Sequence, residues 1–210
     1  MNLVLDLDGT LITCEARQTA VLGAALICCG AQIDLHQVWE LKRAGTSTEN
    51  AMVQLGLVPE LARRVISCWR HSIEDPIWLG LDSVQTGVFD VLSDMKRVGG
   101  RVLLLTARSH PEWVSQQLAR LGLLPMLDNV TVVTPSEAVQ GKIAMLRAFS
   151  ATAFFGDTEL DWLASIRAEV PFFPVSWGQR SEEYLARAVV GVSLIHADLA
   201  SAWKTFAGPP

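Results

Sequence analysis

Leu3-Val4-Leu5-Asp6-Leu7-Asp8-Gly9-Thr10-Leu11 is the stretch on which the reading of this chain turns. Leu3, Val4, Leu5 and Leu7 make an apolar run too short for a helix and suited to a strand buried in a sheet. Gly9 then breaks it. The carboxylates of Asp6 and Asp8 therefore stand at the strand's C-terminal end, where ligands bind in open α/β sheets. Strand neighbours face opposite ways, so these two residues project together. Like charges that close are costly unless a cation, a proton or a substrate charge calls for them. A divalent metal with oxygen ligands is the economical explanation, whereas a lone Asp-Gly would read as a turn.

Beyond Leu11 the pattern is helical as far as Pro76. Ala20, Val21, Ala24, Ala25 and Cys28 share a helix face that Gly30 ends. Asp34 caps a second helix, and Thr46 with Glu49 forms a capping-box pattern for a third. Pro59 opens a fourth, with Leu61, Val65, Cys68 and Trp69 as its inner face. After Val88 the pattern alternates. Apolar strands at 102–105, 130–133, 153–155 and 172–175 are separated by amphipathic helices, one of them capped by Ser109 with Glu112. That alternation predicts a parallel sheet covered on both faces, with the helical block inserted after the first strand. The chain's end, Gly208-Pro209-Pro210, reads as a frayed tail.

Further polar groups fall at strand ends. Thr106 and the backbone N–H of Ala107 close the second strand and can hold a phosphate oxygen. Lys142, after Gly141, reads as the start of a helix, where a cation is unfavourable unless an anion is near. Phe154-Phe155-Gly156-Asp157 ends a strand in an acid, and Asp161 follows one helical turn on. Glu159 between them reads as solvated.

Taken together, Asp6-x-Asp8-Gly9-Thr10, Thr106, Gly141-Lys142 and Gly156-Asp157-x-x-x-Asp161 resemble, in order, the four motifs of the haloacid dehalogenase (HAD) superfamily. The likeness runs over essentially the whole chain, and Val175-Ser176-Trp177-Gly178 is similar to the stretch after motif IV in its C1-capped phosphatases. The resemblance implies an α/β, Rossmann-like parallel-sheet core at residues 1–13 and 84–210, with an inserted α-helical cap at 14–83. It implies Mg²⁺ held by Asp6, Asp8 (through its backbone carbonyl) and Asp157, with Asp161 supporting the site. It implies Asp6 as nucleophile, Asp8 as general acid and base, and Thr106, Ala107 and Lys142 around the phosphate.

The expected activity is hydrolysis of a small phosphorylated metabolite through an aspartyl-phosphate on Asp6. A phosphomutase or phosphonatase on the same core, or a catalytically idle binding module, are the alternatives. A phosphonatase would need a Schiff-base lysine in the cap, where Lys42 is the only lysine; Leu41-Lys42-Arg43-Ala44-Gly45 reads instead as a charged helix end. A dehalogenase is disfavoured because Asp8 is present. Lys42, Arg43, Thr46, Ser47 and Asn50 cluster at an interhelical break and are the candidate specificity residues.

The bulk properties agree. With 210 residues, 50% hydrophobic and 19% charged, the chain can bury a sizeable core. A net charge of −5 argues against a nucleic-acid or acidic-membrane surface, so the expected partner is the small substrate. Cys14, Cys28, Cys29 and Cys68 show no metal spacing and read as buried free thiols of a reducing compartment. No signal-type start and no membrane-length apolar run is evident, so a soluble, cytoplasmic protein is expected, its oligomeric state open.

Overall fold

The computed structural model describes residues 1–208; Pro209 and Pro210, expected in the tail, lie outside them. The chain begins with β1 (Asn2–Leu5) and continues through α1 (Glu15–Cys28), α2 (Leu35–Arg43), α3 (Thr48–Gln54), α4 (Pro59–Ser72) and α5 (Pro76–Leu79). Next come α6 (Val88–Arg97), β2 (Arg101–Ala107), α7 (Pro111–Arg120), β3 (Asn129–Val133) and α8 (Ala138–Ala148). The remainder is β4 (Ala153–Gly156), α9 (Glu159–Ala168), β5 (Phe172–Pro174), α10 (Glu182–Ala188) and α11 (Leu199–Ala207).

The strands form one parallel sheet in the order β3-β2-β1-β4-β5. Strand periodicity sorts the side chains. Leu3 and Leu5 enter the layer made with Val91, Leu92 and Met95 of α6 and Trp203 of α11. Val4 enters the opposite layer, with Ile143 and Leu146 of α8 and Ala164 of α9. Burial on both faces is why these strands are continuous apolar runs rather than alternating ones. The chain leaves β1 toward β2 on one side and returns as β4 on the other. The carboxyl end of β1 is thus the point where strand order reverses, and a crevice opens there.

Helices α1 to α4 bury Leu22, Leu26, Val38, Met52, Val65 and Ile66 in a cluster of their own. The insertion is joined to the sheet through adjacent chain segments: Ile12 bridges Val84, and the Thr13 amide donates to the Ser83 carbonyl at 2.8 Å.

Several local expectations change. The cap of α3 is Ser47, whose hydroxyl accepts from the Asn50 amide at 3.2 Å, and not Thr46. On α4 the buried residues are Ala62, Val65 and Ile66, while Cys68 is exposed. Of the four cysteines only Cys14 is buried; all are free. Ser109 does not cap α7. The Glu74 carboxylate, from the insertion, accepts the Ser109 amide at 2.9 Å and the His110 amide at 3.2 Å. An acid there suits the positive end of the helix. Among the described residues, no helix is long and apolar enough to cross a membrane.

Candidate active site

Asp6 extends β1: its amide donates to the Phe155 carbonyl of β4 at 2.9 Å. Two residues beyond Val4, it faces the same helix layer, and there it meets Lys142. The Lys142 ammonium donates to Asp6 Oδ1 at 2.6 Å and to Asp161 Oδ1 at 2.5 Å. Lys142 lies within the second turn of α8 rather than at its start, because the helix already begins at Ala138. Asp161 also completes the capping box of α9, taking the Thr158 hydroxyl on Oδ2 at 2.6 Å. Asp157 follows β4 directly. Its Oδ2 accepts the Gln179 amide at 2.6 Å, and its Oδ1 is buried with no partner.

Carboxylate oxygens of Asp6, Asp157 and Asp161 lie within 4.8 Å of one another, all three residues buried. Burial pushes Asp6 up to about 7 from its ordinary 3.8; Lys142 opposes the rise and the Asp161 charge adds to it. Asp157 is raised for the same first reason, with Asp6 and Asp161 adding. Burial alone would lower Lys142, but Asp161 and Asp6 overcome it and hold it charged. Three acids thus stand around one ammonium, which bonds Asp6 and Asp161 and leaves Asp157 without a cation.

The backbone crowds in to complete this corner. A Cβ on Gly9, whose φ is +77°, would sit 2.0 Å from Asp157 Oδ2, and one on Gly178 would sit 2.4 Å from the Gly9 carbonyl oxygen. Only glycines let the two loops approach Asp157 so closely. The orphaned Asp157 oxygen, the all-oxygen donor set and the missing positive charge fit a hard divalent cation such as Mg²⁺.

The Asp8 carboxylate is outside that cluster. It takes a bidentate pair from Arg108, with Nε and a terminal nitrogen each at 2.7 Å, and a third bond from Arg17 of α1. Burial would raise Asp8, but the Arg108 and Arg17 guanidiniums hold it at about 2. Arg17 also donates to Asp82 Oδ2 at 2.8 Å and to the Ile73 carbonyl at 3.1 Å. Thr106 and Ala107 line the same cavity of about 180 Å³ as Asp6, Asp8, Lys142 and Asp161.

Of the insertion candidates, Lys42 is half-buried within the insertion: its ammonium bonds Gln18 Oε1 and lies over Trp39 and Trp69, 5.4 and 5.9 Å from the ring centroids. It is not a solvated helix end. Arg43 instead ties the insertion to the core, donating to the Ser176 carbonyl at 2.8 Å. Ser47 and Asn50 are exposed at the start of α3, and Thr46 turns the chain before it. Arg17, Gln18, Arg108, Gln179 and Arg180 stand in none of the motifs, and nothing in their local sequence sets them apart from surface residues. Arg108 is buried, and Arg180 forms a bidentate pair with Glu159 at 2.7 and 2.8 Å, so Glu159 is not solvated. Arg17 carried no local signal, since Glu15, Gln18 and Thr19 make the start of α1 polar around it.

No family model matches the sequence, and no curated protein matches it significantly. Solved structures do. A haloacid dehalogenase-like family hydrolase from Streptococcus pneumoniae superposes with a TM-score of 0.78 at 14% identity, covering 98% of this chain and 96% of that one. The chain has the haloacid dehalogenase-like fold. A predicted phosphatase from Clostridium acetobutylicum gives a TM-score of 0.74 at 20% identity, over 98% of this chain and 97% of that one. Protein tyrosine kinase A from Mycobacterium tuberculosis gives 0.76 at 17% identity, over 99% and 98%. The haloacid dehalogenase-like fold is thus shared by proteins whose names carry different phosphoryl chemistries, and the activity has to be argued from the site itself.

Proposed function

We propose that the chain is a Mg²⁺-dependent phosphomonoester hydrolase that works through an aspartyl-phosphate on Asp6. The observation that carries the reading is the buried triad of Asp6, Asp157 and Asp161 at the carboxyl end of the sheet, bridged by Lys142 and lacking one cation. The names of its structural relatives, a hydrolase and a predicted phosphatase among them, support the same class.

Mg²⁺ would be held by Asp6, Asp157 and the Asp8 backbone carbonyl, with Asp161 alongside, and would supply charge neutralisation of the transferring phosphoryl group. The residues do the rest. Asp6 attacks phosphorus; its Oδ–P bond forms as the ester P–O bond breaks. Asp8 gives its proton to the departing alkoxide. A water then attacks phosphorus, Asp8 takes its proton, and the Asp6 carboxylate is released with inorganic phosphate. Lys142 orients Asp6 and neutralises part of the charge, and the Thr106 hydroxyl and Ala107 amide cradle phosphoryl oxygens. Positioning and electrostatics supply most of such catalysis. Hydrolysis of p-nitrophenyl phosphate with Mg²⁺, absent in Asp6→Asn, tests the proposal; undiminished activity in Asp6→Asn sinks it.

A further inference from the structure

Helix α1 delivers Arg17 to Asp8 from its first turn and ends at Cys28, roughly 17 Å further along its axis. At that far end α1 meets α4 through sulfur. The Sγ atoms of Cys29, which caps α1, and Cys68 of α4 lie 4.0 Å apart, although 39 positions separate them in the sequence. Both are free thiols, Cys68 exposed and Cys29 half-buried. Packing presents them to each other without any bond between them. Ala25 and Leu26 of α1 are buried against the same cluster as Ala62, Val65 and Ile66 of α4, and Cys29 lies at the edge of that cluster. A disulfide needs its sulfurs at about 2.05 Å. Cys68 is exposed, so its side chain is free to turn and close that gap.

The pair is also reachable. Cys68 and Cys28 line a cavity of about 450 Å³ with Val21, His71 and Trp78, which gives a small oxidant or reductant a route to the Cys68 sulfur. Burial, and then the hydrogen bond with Cys68, push the Cys29 thiol up, while the Arg64 charge opposes them. Cys29 therefore stays protonated near neutral pH, and Cys68 is the sulfur that meets the oxidant first.

We propose that Cys29 and Cys68 are a site of reversible oxidation, closing a disulfide that staples α1 to α4 within the helical insertion. The oxidant is a peroxide. The Cys68 sulfur attacks the O–O bond; an S–O bond forms, the O–O bond breaks and one water leaves, so that the sulfur is oxidised by two electrons as the peroxide is reduced. The Cys29 sulfur then attacks the Cys68 sulfur. The S–S bond forms, the S–O bond breaks, and the hydroxyl departs with the Cys29 proton as a second water. Two thiols and one hydrogen peroxide thus give one disulfide and two waters, and a thiol reductant reverses the bond. The loop so closed carries α2 and α3, and closing a long loop restricts the unfolded insertion most. At the cleft end the same two helices are already tied by other contacts: the Trp69 indole donates to the Gln18 carbonyl at 3.2 Å, and Arg17 to the Ile73 carbonyl at 3.1 Å. The staple stiffens the insertion from the end remote from Asp8.

The test takes the reduced full-length protein, adds hydrogen peroxide at neutral pH without denaturant, and maps the thiols by mass spectrometry before and after dithiothreitol. Two of the four thiols should disappear, with the Cys29 and Cys68 peptides joined and dithiothreitol restoring both. Cys28→Ser should oxidise as the wild-type protein does, and Cys68→Ser should form no link. The oxidised wild-type protein should unfold about 5 °C above its reduced form, a difference that Cys68→Ser abolishes. Cys29 and Cys68 left unlinked in the oxidised wild-type protein, which needs no variant to fold, overturn the inference. So does a bond from Cys68 to Cys28 instead, a bond between two chains on a non-reducing gel, or a linked protein that unfolds no higher than the reduced one.

Discussion

Replacing Asp6 by Asn should make the metal-free protein more stable while abolishing turnover. Asp6 is buried, bonded to Lys142, and crowded by Asp157 and Asp161. Burial, opposed by Lys142 and helped by the Asp161 charge, pushes it from 3.8 to about 7. For an acid raised in this way, the folded chain binds more protons than the unfolded chain between those two values. Stability therefore falls as pH rises through that window, and the loss is complete above it. The rise corresponds to roughly 4 kcal/mol at about 1.4 kcal/mol per tenfold change in acidity. Asn imitates the protonated acid but makes only a neutral hydrogen bond to Lys142, which returns about 1–2 kcal/mol of that gain. The net expectation is a gain of about 2 kcal/mol at pH 8, shrinking toward pH 5. Urea unfolding in EDTA, followed by tryptophan fluorescence at the two pH values, measures it. Added Mg²⁺ should then stabilise the wild-type protein by mass action and the variant much less. If Asp6→Asn is less stable than wild type at pH 8 in EDTA, the carboxylate cluster is not under repulsion and the case for a resident cation collapses.

Three other outcomes are expected. Activity should vanish in chelator and return with Mg²⁺, and beryllofluoride, which imitates an aspartyl-phosphate, should inhibit only when Mg²⁺ is present; full activity in chelator contradicts the proposed mechanism. Asp8→Asn should release a burst of product from a substrate with a good leaving group and then stall, because the phosphoryl-enzyme forms but is hydrolysed slowly; rapid-quench kinetics that show no burst would assign Asp8 a structural part instead. Arg17→Met should cost about 3 kcal/mol in a denaturant titration, since it strands the buried Asp82 carboxylate and removes one of the two guanidiniums on Asp8; a change within experimental error would mean that Asp82 finds another partner, Gln117 being the one already bonded to it at 2.8 Å.

The acidic corner was legible because Asp6 and Asp157 each follow an apolar strand directly and Asp161 lies one helical turn beyond Asp157. A strand buried on both faces leaves a run of Val, Leu and Phe in the sequence, and the polar residue that follows stands at the sheet's edge. Asp6, Thr106 and Asp157 are all found that way. Lys142 was found with the wrong helix start, for a packing reason. Gly141 looks like a break, yet it lies inside α8, where a Cβ would come within 2.9 Å of Val133 and hold the helix off the sheet. The partners of Asp8 were not legible. Arg108 follows a strand end as a surface residue would, and nothing local shows that its anion lies 100 positions earlier. The Ser109 capping box failed likewise: a carboxylate from the turn between α4 and α5, Glu74, outcompeted the local pattern. Local rules register propensity, while these contacts are set by how the insertion seats on the sheet.

That seating bears on the order of the chemical steps. As the structure stands, Asp8 is ionised and triply hydrogen-bonded to guanidinium groups. An ionised carboxylate is the form that takes a proton from attacking water, the second half of the proposed reaction. The first half needs the protonated form, which two guanidiniums oppose. One of them belongs to the sheet, but the other, Arg17, is anchored across the insertion's joints: it leaves α1, bonds the Ile73 carbonyl near the end of α4, and pairs with Asp82 just before the chain re-enters the core. Any change in how the insertion sits must therefore move Arg17 relative to Asp8. On the hydrolase reading, a substrate that shifts the insertion on binding loosens the grip that keeps Asp8 ionised, and product release restores it. Arg17, a residue outside all four motifs, is thus the contact through which the seating of the insertion acts on the Asp8 carboxylate.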